Sequence, residues 1–225
     1  MITDVVGACP GDEEAAVRIG IIGSGHMGRA LGKLLGRAGH EVVLANSRGP
    51  QSLGDALAEI DYRSRAATVS QTVAEADVVL IAIPYLAVDR VADEGGSWDG
   101  KVVIDLTNYY AERDGQRLDP HGTSSSAVVA GKLRGARVVK AFNTIWYRRL
   151  ASESRPSGPE RLVVFYAGDD PVANDTVARL IKDCGFEPIY TGSLDEGGLR
   201  QQPGSDIHNV PLTRTEAEER LQATG

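Results

Sequence analysis

Short apolar runs alternate with longer amphipathic segments from Val17 onward. The runs are rich in Val and Ile, which is typical of strands buried on both faces of a parallel sheet. Their alternation with helical segments predicts an α/β protein built on a doubly wound, mostly parallel sheet. The predicted strands are Val17–Ile22, Glu41–Ala45, Val78–Ile83, Val102–Leu106, Arg137–Ala141 and Leu162–Tyr166, with weaker candidates at Tyr62–Ala66 and Glu187–Thr191.

The ends of several predicted helices carry recognisable capping residues. Asp170 precedes a proline and is a good N-cap, and Gly185 ends the helix that follows. Gly39 ends the first helix in the same way. Thr213 and Glu216 have the spacing of a capping box, which predicts a last short helix reaching about residue 222.

No Pro- or Ser-rich linker divides the chain into separate domains. We expect residues 1–16 to be a flexible acidic leader, residues 17–145 to form the main sheet domain, and residues 146–225 to form a small C-terminal portion packed on it. Three stretches interrupt the strand and helix rhythm and are predicted to be loops: 93–100, 109–126 and 151–160.

The charge balance narrows the class of partner. The chain of 225 residues has 24 Lys and Arg against 31 Asp and Glu, a net charge of −7. A nucleic-acid-binding face requires clustered positive charge, so we expect no nucleic-acid partner. The longest apolar stretch, Val78–Val88, is interrupted by Pro84 and is too short to span a membrane. The first residues lack the pattern of an export signal, so we expect a cytoplasmic protein without a membrane partner.

The cysteines and histidines do not indicate a metal or a nucleophile. Cys9 and Cys184 are too few for a disulfide framework or a zinc site. His40, His121, His26 and His208 do not form a metal-binding or triad motif. We therefore predict no metal, and we expect His26, inside the glycine turn, to face a cofactor.

A glycine-rich turn carries the strongest functional signal. Gly23, Gly25 and Gly28 form GxGxxG between a predicted strand and a predicted helix, and a second strand follows at the expected distance. The first glycine permits the tight turn, the second lets the backbone approach a pyrophosphate, and the third lets the helix pack against the strand. The helix N-terminus then offers free amides to the phosphates. This context predicts a dinucleotide-binding Rossmann domain.

The end of the second strand indicates which dinucleotide is bound. NAD-binding proteins place an Asp or Glu there, whereas this chain has Asn46, Ser47 and Arg48. A hydroxyl and a guanidinium can hydrogen-bond the 2′-phosphate of NADPH, which a carboxylate would repel. The alternative is that Arg48 lies in solvent on a loop. We predict NADP(H) as the cofactor.

Other strand ends are predicted to lie at the same edge of the sheet. Asn108 follows the fifth strand, and Asn143 with Thr144 follows the sixth. Ligands collect at the carboxyl ends of parallel strands, and uncharged polar groups there can bind a nicotinamide amide or an acceptor carbonyl. The same reasoning places at this edge Ile83, Pro84, Ala141 and the Gly168 turn after Tyr166, although Pro84 can equally serve to end its strand.

The segments GSGHMG, NSR, IAIP, VIDLTN and VVKAFNT together resemble the F420-dependent NADP oxidoreductase family. These are small Rossmann proteins that exchange a hydride between NADPH and a deazaflavin, and the resemblance covers nearly all of the chain after Val17. Pyrroline-5-carboxylate reductases share the first half but have a long helical dimerisation domain. The cytosolic domain of the STEAP metalloreductases, which reduces a flavin, is also similar.

The resemblance implies a homodimer in which NADPH is held by Ser24, His26, Met27, Ser47 and Arg48, with Ile83 and Pro84 behind the nicotinamide. The family commonly has a proline after the asparagine of its LTN-like segment, where this chain has Tyr109 and Tyr110. We expect the acceptor to bind between Asn108, Tyr109, Asn143, Thr144 and Trp146.

Three functions remain open on the sequence. The first is hydride transfer from NADPH to a conjugated acceptor, such as coenzyme F420 or a flavin. The second is reduction of an imine or carbonyl in a small metabolite, with Tyr109, Tyr110 or His208 as the available proton donors. The third is a non-catalytic sensor that only binds NADPH.

Overall fold

The computed structural model describes residues 16–60, 63–115, 123–155, 157–158 and 160–223. Nearly all of the predicted leader lies outside these residues, as do Cys9 and His121. The described residues form an eight-stranded sheet in the order β3-β2-β1-β4-β5-β6-β7-β8. The strands are β1 Arg18–Ile22, β2 Glu41–Ala45, β3 Ser64–Ala66, β4 Val78–Ile81, β5 Val102–Asp105, β6 Arg137–Ala141, β7 Val163–Gly168 and β8 Glu187–Tyr190.

The first six strands run parallel. Their order is that of a dinucleotide-binding Rossmann sheet, so the predicted fold class is confirmed. The helices are α1 His26–Arg37, α2 Gly54–Ile60, α3 Val69–Glu75, α4 Val88–Glu94, α5 Ala111–Asp114, α6 Ser125–Lys132, α7 Tyr147–Glu153, α8 Pro171–Asp183, α9 Glu196–Arg200 and α10 Arg214–Ala223. Short 3₁₀ turns cover Pro50–Ser52 and Tyr85–Ala87.

Helices cover both faces of the sheet. One apolar core joins α1, α2, α7 and α8 to one face, with Leu31 and Leu180 fully or almost fully buried in it. The second core joins α3, α4 and α6 to the other face and includes Val73 and Val129. Burial on both sides explains why the strands are continuous apolar runs without alternation. A third, smaller cluster packs α10 and the segment before it against β7 and β8.

The seventh strand runs against the rest. β7 is antiparallel to β6, and Gly168 pairs with Val139 in the middle of that strand. The predicted position of the Gly168 turn, at the edge formed by the carboxyl ends of the parallel strands, is therefore wrong. Strand direction is set by the connection to the preceding strand, and the apolar composition of a buried strand does not reveal it.

Several predicted boundaries also change. β4 ends at Ile81 and not Ile83, while β7 continues to Gly168. The predicted loops contain the whole of α5, the start of α6 and the last turn of α7. Short helices without a strong apolar periodicity give little signal in a sequence. The predicted helix ends at Gly39 and Gly185 are confirmed, since both glycines have positive φ.

Asp170 provides a test of local helix stability. Its Oδ1 accepts a hydrogen bond of 2.8 Å from the Ala173 backbone N–H at the start of α8. Replacing Asp170 by Ala should lower the free energy of unfolding by about 1 kcal/mol, the usual contribution of an N-cap. Asp170→Asn should retain most of the stability because its side-chain oxygen still accepts this bond. Urea denaturation of both variants makes the measurement, and an equal loss in Asp170→Asn would show that the charge matters and the cap does not.

Candidate active site

The glycine turn after β1 is fixed by two close contacts. Gly23 has a φ of +123°, and a Cβ atom there would lie 2.2 Å from the carbonyl oxygen of Ala82. A Cβ at Gly28 would lie 1.9 Å from the carbonyl oxygen of Gly23. A larger residue at either position cannot be accommodated without moving the backbone. These contacts bring the first turn of α1 against the end of β1.

Gly25, unlike Gly23 and Gly28, is not required by packing within the protein. A Cβ there would meet no atom within 4 Å, so the fold itself does not require glycine at this position. Gly25 is the N-cap of α1 and makes no side-chain capping bond. The first amides of a helix lack partners inside the helix and attract anions. The open space before Gly25 is therefore suited to a phosphate group.

A cleft of about 600 Å³ opens at this turn. It runs along the carboxyl ends of β1, β2 and β4, where Rossmann folds bind their ligands. Its lining residues come from the end of β1 and the glycine turn, the segment after β2, the start of α3 and the segment from β4 to α4. They are Ile22, Gly23, Ser24, Gly25, Asn46, Ser47, Arg48, Val69, Ala82, Ile83, Pro84, Leu86, Ala87, Arg90 and Val91.

The segment after β2 is held by hydrogen bonds. The Asn46 side-chain amide donates to Ser24 Oγ at 3.1 Å and to Ser52 Oγ at 2.9 Å. Asn46 Oδ1 accepts from the Arg48 backbone N–H at 2.9 Å. Asn46 thus ties this segment to the glycine turn and orders the backbone of Arg48. Ser47 and Arg48 themselves are exposed at the cleft.

Four of the residues predicted to bind the cofactor lie outside the cleft lining. His26 is exposed, and its ring stacks on Tyr147 of α7 with the ring centroids 4.5 Å apart. Met27 packs against the core, Gly28 is buried beneath the turn, and Ala141 is buried in the core at the end of β6. The stack brings α7 next to the first turn of α1, a contact that sequence reasoning missed because Tyr147 lies far from His26 in the chain.

Asn108 and Asn143 form the centre of the predicted acceptor edge. Asn108 Nδ2 donates to the Asn143 carbonyl oxygen at 2.9 Å, and Asn143 Nδ2 donates to Asn108 Oδ1 at 3.1 Å. Phe142, just before, has a φ of +61° although it is not glycine. Such a backbone is strained and persists only where its surroundings impose it. The turn after β6 is thus held in place by the segment after β5.

The predicted acceptor residues do not all lie together. Tyr109 packs edge-on against Tyr85, on the face of the sheet covered by α3, α4 and α6. Trp146 is 50% exposed and precedes α7, which packs with α1 on the opposite face. Thr144 is buried, and its carbonyl oxygen accepts a hydrogen bond from the Asn209 backbone N–H. Two aromatic surfaces therefore border the edge from opposite sides.

A buried ionic group supports the same edge. Lys140 is fully buried; its Nζ donates to the Thr107 carbonyl oxygen at 3.1 Å and to Ser126 Oγ at 2.8 Å, and lies 3.7 Å from Asp105 Oδ2. Burial lowers the pKa of Lys140, and the charge of Asp105 opposes this effect. Asp105 Oδ1 accepts from the Thr107 backbone N–H at 2.8 Å. This group fixes the backbone that leads into Asn108.

His208 and Gln201 also approach this region. Asn143 Nδ2 donates to the Gln201 carbonyl oxygen at 2.8 Å. Burial lowers the pKa of His208, a hydrogen bond with the Gln201 backbone raises it, and the positive charge of Lys140 lowers it further. Both ring nitrogens of His208 are buried. Both residues follow α9, and their position could not be derived from local sequence patterns.

Arg90 is the charged cleft residue that sequence reasoning missed. It lies on α4 and lines the cleft together with Arg48. Its position follows from the path of the chain after Pro84, which forms a 3₁₀ turn and then α4. A cation on the polar face of a helix is normally interpreted as solvent-exposed, so its position could not be inferred from the sequence.

The comparisons with known proteins agree with this geometry. The fold and the cleft define a dinucleotide-binding protein of the Rossmann class. Residues 18–109 match the family described as "NADP oxidoreductase coenzyme F420-dependent". This family consists of oxidoreductases, and the matched residues include the glycine turn, the segment after β2 and Asn108.

Three relatives cover more of the chain. The metalloreductase STEAP3 of Rattus norvegicus is 30% identical over 185 residues, which are 80% of this chain and 34% of the relative. A hypothetical protein of Sinorhizobium meliloti is 30% identical with a TM-score of 0.78, over 90% of this chain and 98% of the other. A putative F420-dependent NADP reductase of Arthrobacter sp. FB24 is 26% identical with a TM-score of 0.68, over 80% and 86%.

The chain spans about a third of the length of the metalloreductases that it matches. Within the part of the chain that the structure describes, no helix is both long and apolar enough to cross a membrane. The similarity is therefore to one section of those longer proteins.

Gly25 and Gly28 give a matched pair of variants. Gly25→Val should cost about 1 kcal/mol or less in stability, because valine is only a poorer N-cap there, yet it should abolish nucleotide binding by filling the phosphate space. Gly28→Ala should destabilise the fold by about 3 kcal/mol, because its Cβ meets backbone. Denaturation and nucleotide titration measure both effects. Undiminished NADPH affinity in folded Gly25→Val would show that the turn has no binding role.

Proposed function

We propose that this chain is an NADPH-dependent reductase that transfers a hydride to a conjugated organic acceptor, a deazaflavin or a flavin. The observation that carries the proposal is the cleft at the glycine turn. It combines an open helix N-terminus at Gly25 with an exposed arginine after β2, and the described residues that line it include no Asp or Glu. A phosphorylated dinucleotide matches each of these features.

Arg48 supports NADPH over NADH. It occupies the position at which an NAD-binding protein has a carboxylate for the ribose hydroxyls. Its guanidinium has no ion-pair partner within the described ranges and borders the cleft. A free guanidinium forms charge-assisted hydrogen bonds with a phosphate.

The bound nicotinamide would supply the hydride, and the residues of the chain would supply orientation. Ile83 and Pro84 line the cleft at the end of β4 and give the ring an apolar backing. The Asn108–Asn143 pair, fixed by Lys140 and Asp105, holds the backbone of the adjacent edge rigid. Rigid positioning of donor and acceptor carbons about 3 to 3.5 Å apart is the main contribution that a protein makes to such a transfer.

Exposed aromatic and cationic groups favour a planar acceptor. Trp146 is half exposed, and the Arg148 guanidinium lies 4.9 Å from the centre of its ring. Tyr110 is also exposed, and Arg113 lies 4.8 Å from its ring centre. Ring surfaces of this kind stack on conjugated systems, and arginines suit anionic substituents. The printed name of the F420-dependent relative is consistent with this class of acceptor.

The direct test is anaerobic oxidation of NADPH, followed by its absorbance, with a panel of acceptors comprising a deazaflavin, flavins and cyclic imines. We expect turnover with a deazaflavin or flavin and much slower turnover with NADH as donor. Turnover with imines alone would assign the chain to metabolite reduction, with Tyr109, Tyr110 or His208 as the candidate proton donors. Tight NADPH binding without turnover on any acceptor would indicate a sensor.

Arg48→Ala should weaken NADPH binding by about 1.5 to 3 kcal/mol, the usual contribution of a hydrogen bond to a charged group. NADH affinity should stay nearly unchanged because NADH lacks the 2′-phosphate. Calorimetric titration of both nucleotides makes the comparison, with Arg37→Ala, an exposed arginine in the last turn of α1, as the control. Equal losses for the two nucleotides would contradict the 2′-phosphate assignment.

Trp146→Ala should slow acceptor reduction about tenfold, because stacking of the Trp146 ring on a planar acceptor contributes roughly 1 kcal/mol or more. Affinity for NADPH should change by only a few tenths of a kcal/mol, since Trp146 is absent from the cleft lining. Tyr109→Ala should act in the same direction. Tyr190→Ala, which removes an equally exposed aromatic from β8, is the control and should have no effect on the rate. Parallel losses of stability and NADPH binding in Trp146→Ala would instead assign it a packing role.

The homodimer implied by the family resemblance and the cytoplasmic location expected from the sequence belong to the same proposal. Sedimentation of the purified chain tests whether it forms a homodimer.

A further inference from the structure

Arg90 is a second cation in the nucleotide cleft. It lies on α4, within one turn of Ala87 and Val91, which also line the cleft. Arg48 enters the cleft from the segment after β2, whereas Arg90 enters from the helix after β4. Because β2 and β4 flank β1 in the sheet, the two arginines approach from the two sides of the glycine turn.

The charge of the cleft differs in sign from that of the chain. The chain has a net charge of −7, yet the described residues that line the cleft include two arginines and no Asp or Glu. A positively charged cavity attracts anions, while the acidic surface of the rest of the protein repels them. A ligand group with a single negative charge can be balanced by one arginine, whereas a phosphate dianion can be balanced by two.

The surroundings of Arg90 match the adenosine end of the cleft. Val69, Leu86 and Val91 form an apolar wall next to it, which is suited to a planar base. The groups assigned to the nicotinamide, Ile83 and Pro84, belong to the preceding segment. Arg90 is therefore placed to contact the phosphate that is attached to the adenosine ribose.

Arg90 differs from Arg48 in having an internal competitor. Arg90 Nε lies 3.2 Å from Glu94 Oε1, one turn further along α4, and both side chains are about half exposed. Exposed pairs with this spacing contribute only about 0.3 to 0.5 kcal/mol, so a phosphate can displace Glu94. The exchange would nevertheless reduce the affinity gained from Arg90.

We propose that Arg90 is a second specificity-determining residue for the 2′-phosphate of NADPH, and that Glu94 weakens this contact by competing for the guanidinium. This inference rests on the proposed binding of NADPH in the cleft. It predicts that removing a carboxylate from α4 improves NADPH binding, an effect that no purely structural role of the pair would produce.

The experiment is calorimetric titration of NADPH and NADH at low ionic strength with Arg90→Gln, Glu94→Gln and the double variant. Arg90→Gln should weaken NADPH about five- to tenfold and change NADH less than about twofold. Glu94→Gln should strengthen NADPH about twofold. The gain should vanish in the Arg90→Gln background, because the cycle isolates the coupling between the two side chains.

Two remote variants control for net charge. Glu218→Gln removes the carboxylate of another exposed (i, i+4) pair, on α10, and Arg179→Gln removes an exposed arginine from α8. Neither should change the NADPH affinity measurably. Equal losses for NADPH and NADH in Arg90→Gln, or a gain from Glu94→Gln that persists without Arg90, would overturn the inference while leaving the NADPH assignment to Arg48 intact. Failure of the unaltered protein to bind NADPH would overturn both.

Discussion

The close approach of α1 to the end of β1 is the constraint on which the functional end of the molecule depends. A Cβ at Gly28 would lie 1.9 Å from the carbonyl oxygen of Gly23, so the helix packs where only glycine fits. This contact directs the free amides of the first helical turn into the space before Gly25. The cleft, the segment after β2 and the start of α4 are arranged around that point. The cofactor assignment follows from this geometry more than from any single polar residue.

The acceptor edge depends on a different kind of interaction. Its centre is a reciprocal pair of hydrogen bonds between Asn108 and Asn143, next to a strained backbone at Phe142. Below it, Lys140 is fully buried and joined to Thr107 and Ser126. Buried charge without partners is costly, and here both Lys140 and Asp105 have hydrogen-bond partners. The edge is therefore preorganised and does not have to form around a ligand.

The sequence predicted well those features that depend on local patterns. The parallel strands β1, β2, β4, β5 and β6 appeared as apolar runs, whereas β3, a half-buried Ser-Arg-Ala strand at the sheet edge, was only a weaker candidate. The glycine turn was recognised by its spacing, and Asp170 was identified as an N-cap; the structure confirms these elements. The direction of β7 was missed because a strand buried on both faces has the same composition in either direction. Gly168 was assigned to the wrong part of the sheet for that reason.

The candidate site was predicted less completely than the fold. The cleft brings together Gly23, Ser24, Gly25 and the three residues after β2, as expected from strand ends that share one edge. Arg90, which lines the cleft, and the stack of Tyr147 on His26 were missed because α4 and α7 are positioned by tertiary contacts. Tyr109 and Trp146 were expected to enclose one pocket, but they lie toward opposite faces of the sheet. The position of a residue after a strand identifies the edge of the sheet at which it lies. It does not show on which face of the sheet its side chain packs.

The most direct measurement of the central claim is a crystal structure of the chain with NADP⁺. We expect pyrophosphate oxygens within about 3 Å of the backbone amides at the start of α1, the 2′-phosphate at the same distance from Arg48, and the nicotinamide against Ile83 and Pro84. A nucleotide bound outside this cleft, or bound in it with the 2′-phosphate directed away from Arg48 into solvent, would contradict the assignment of this cleft to NADPH.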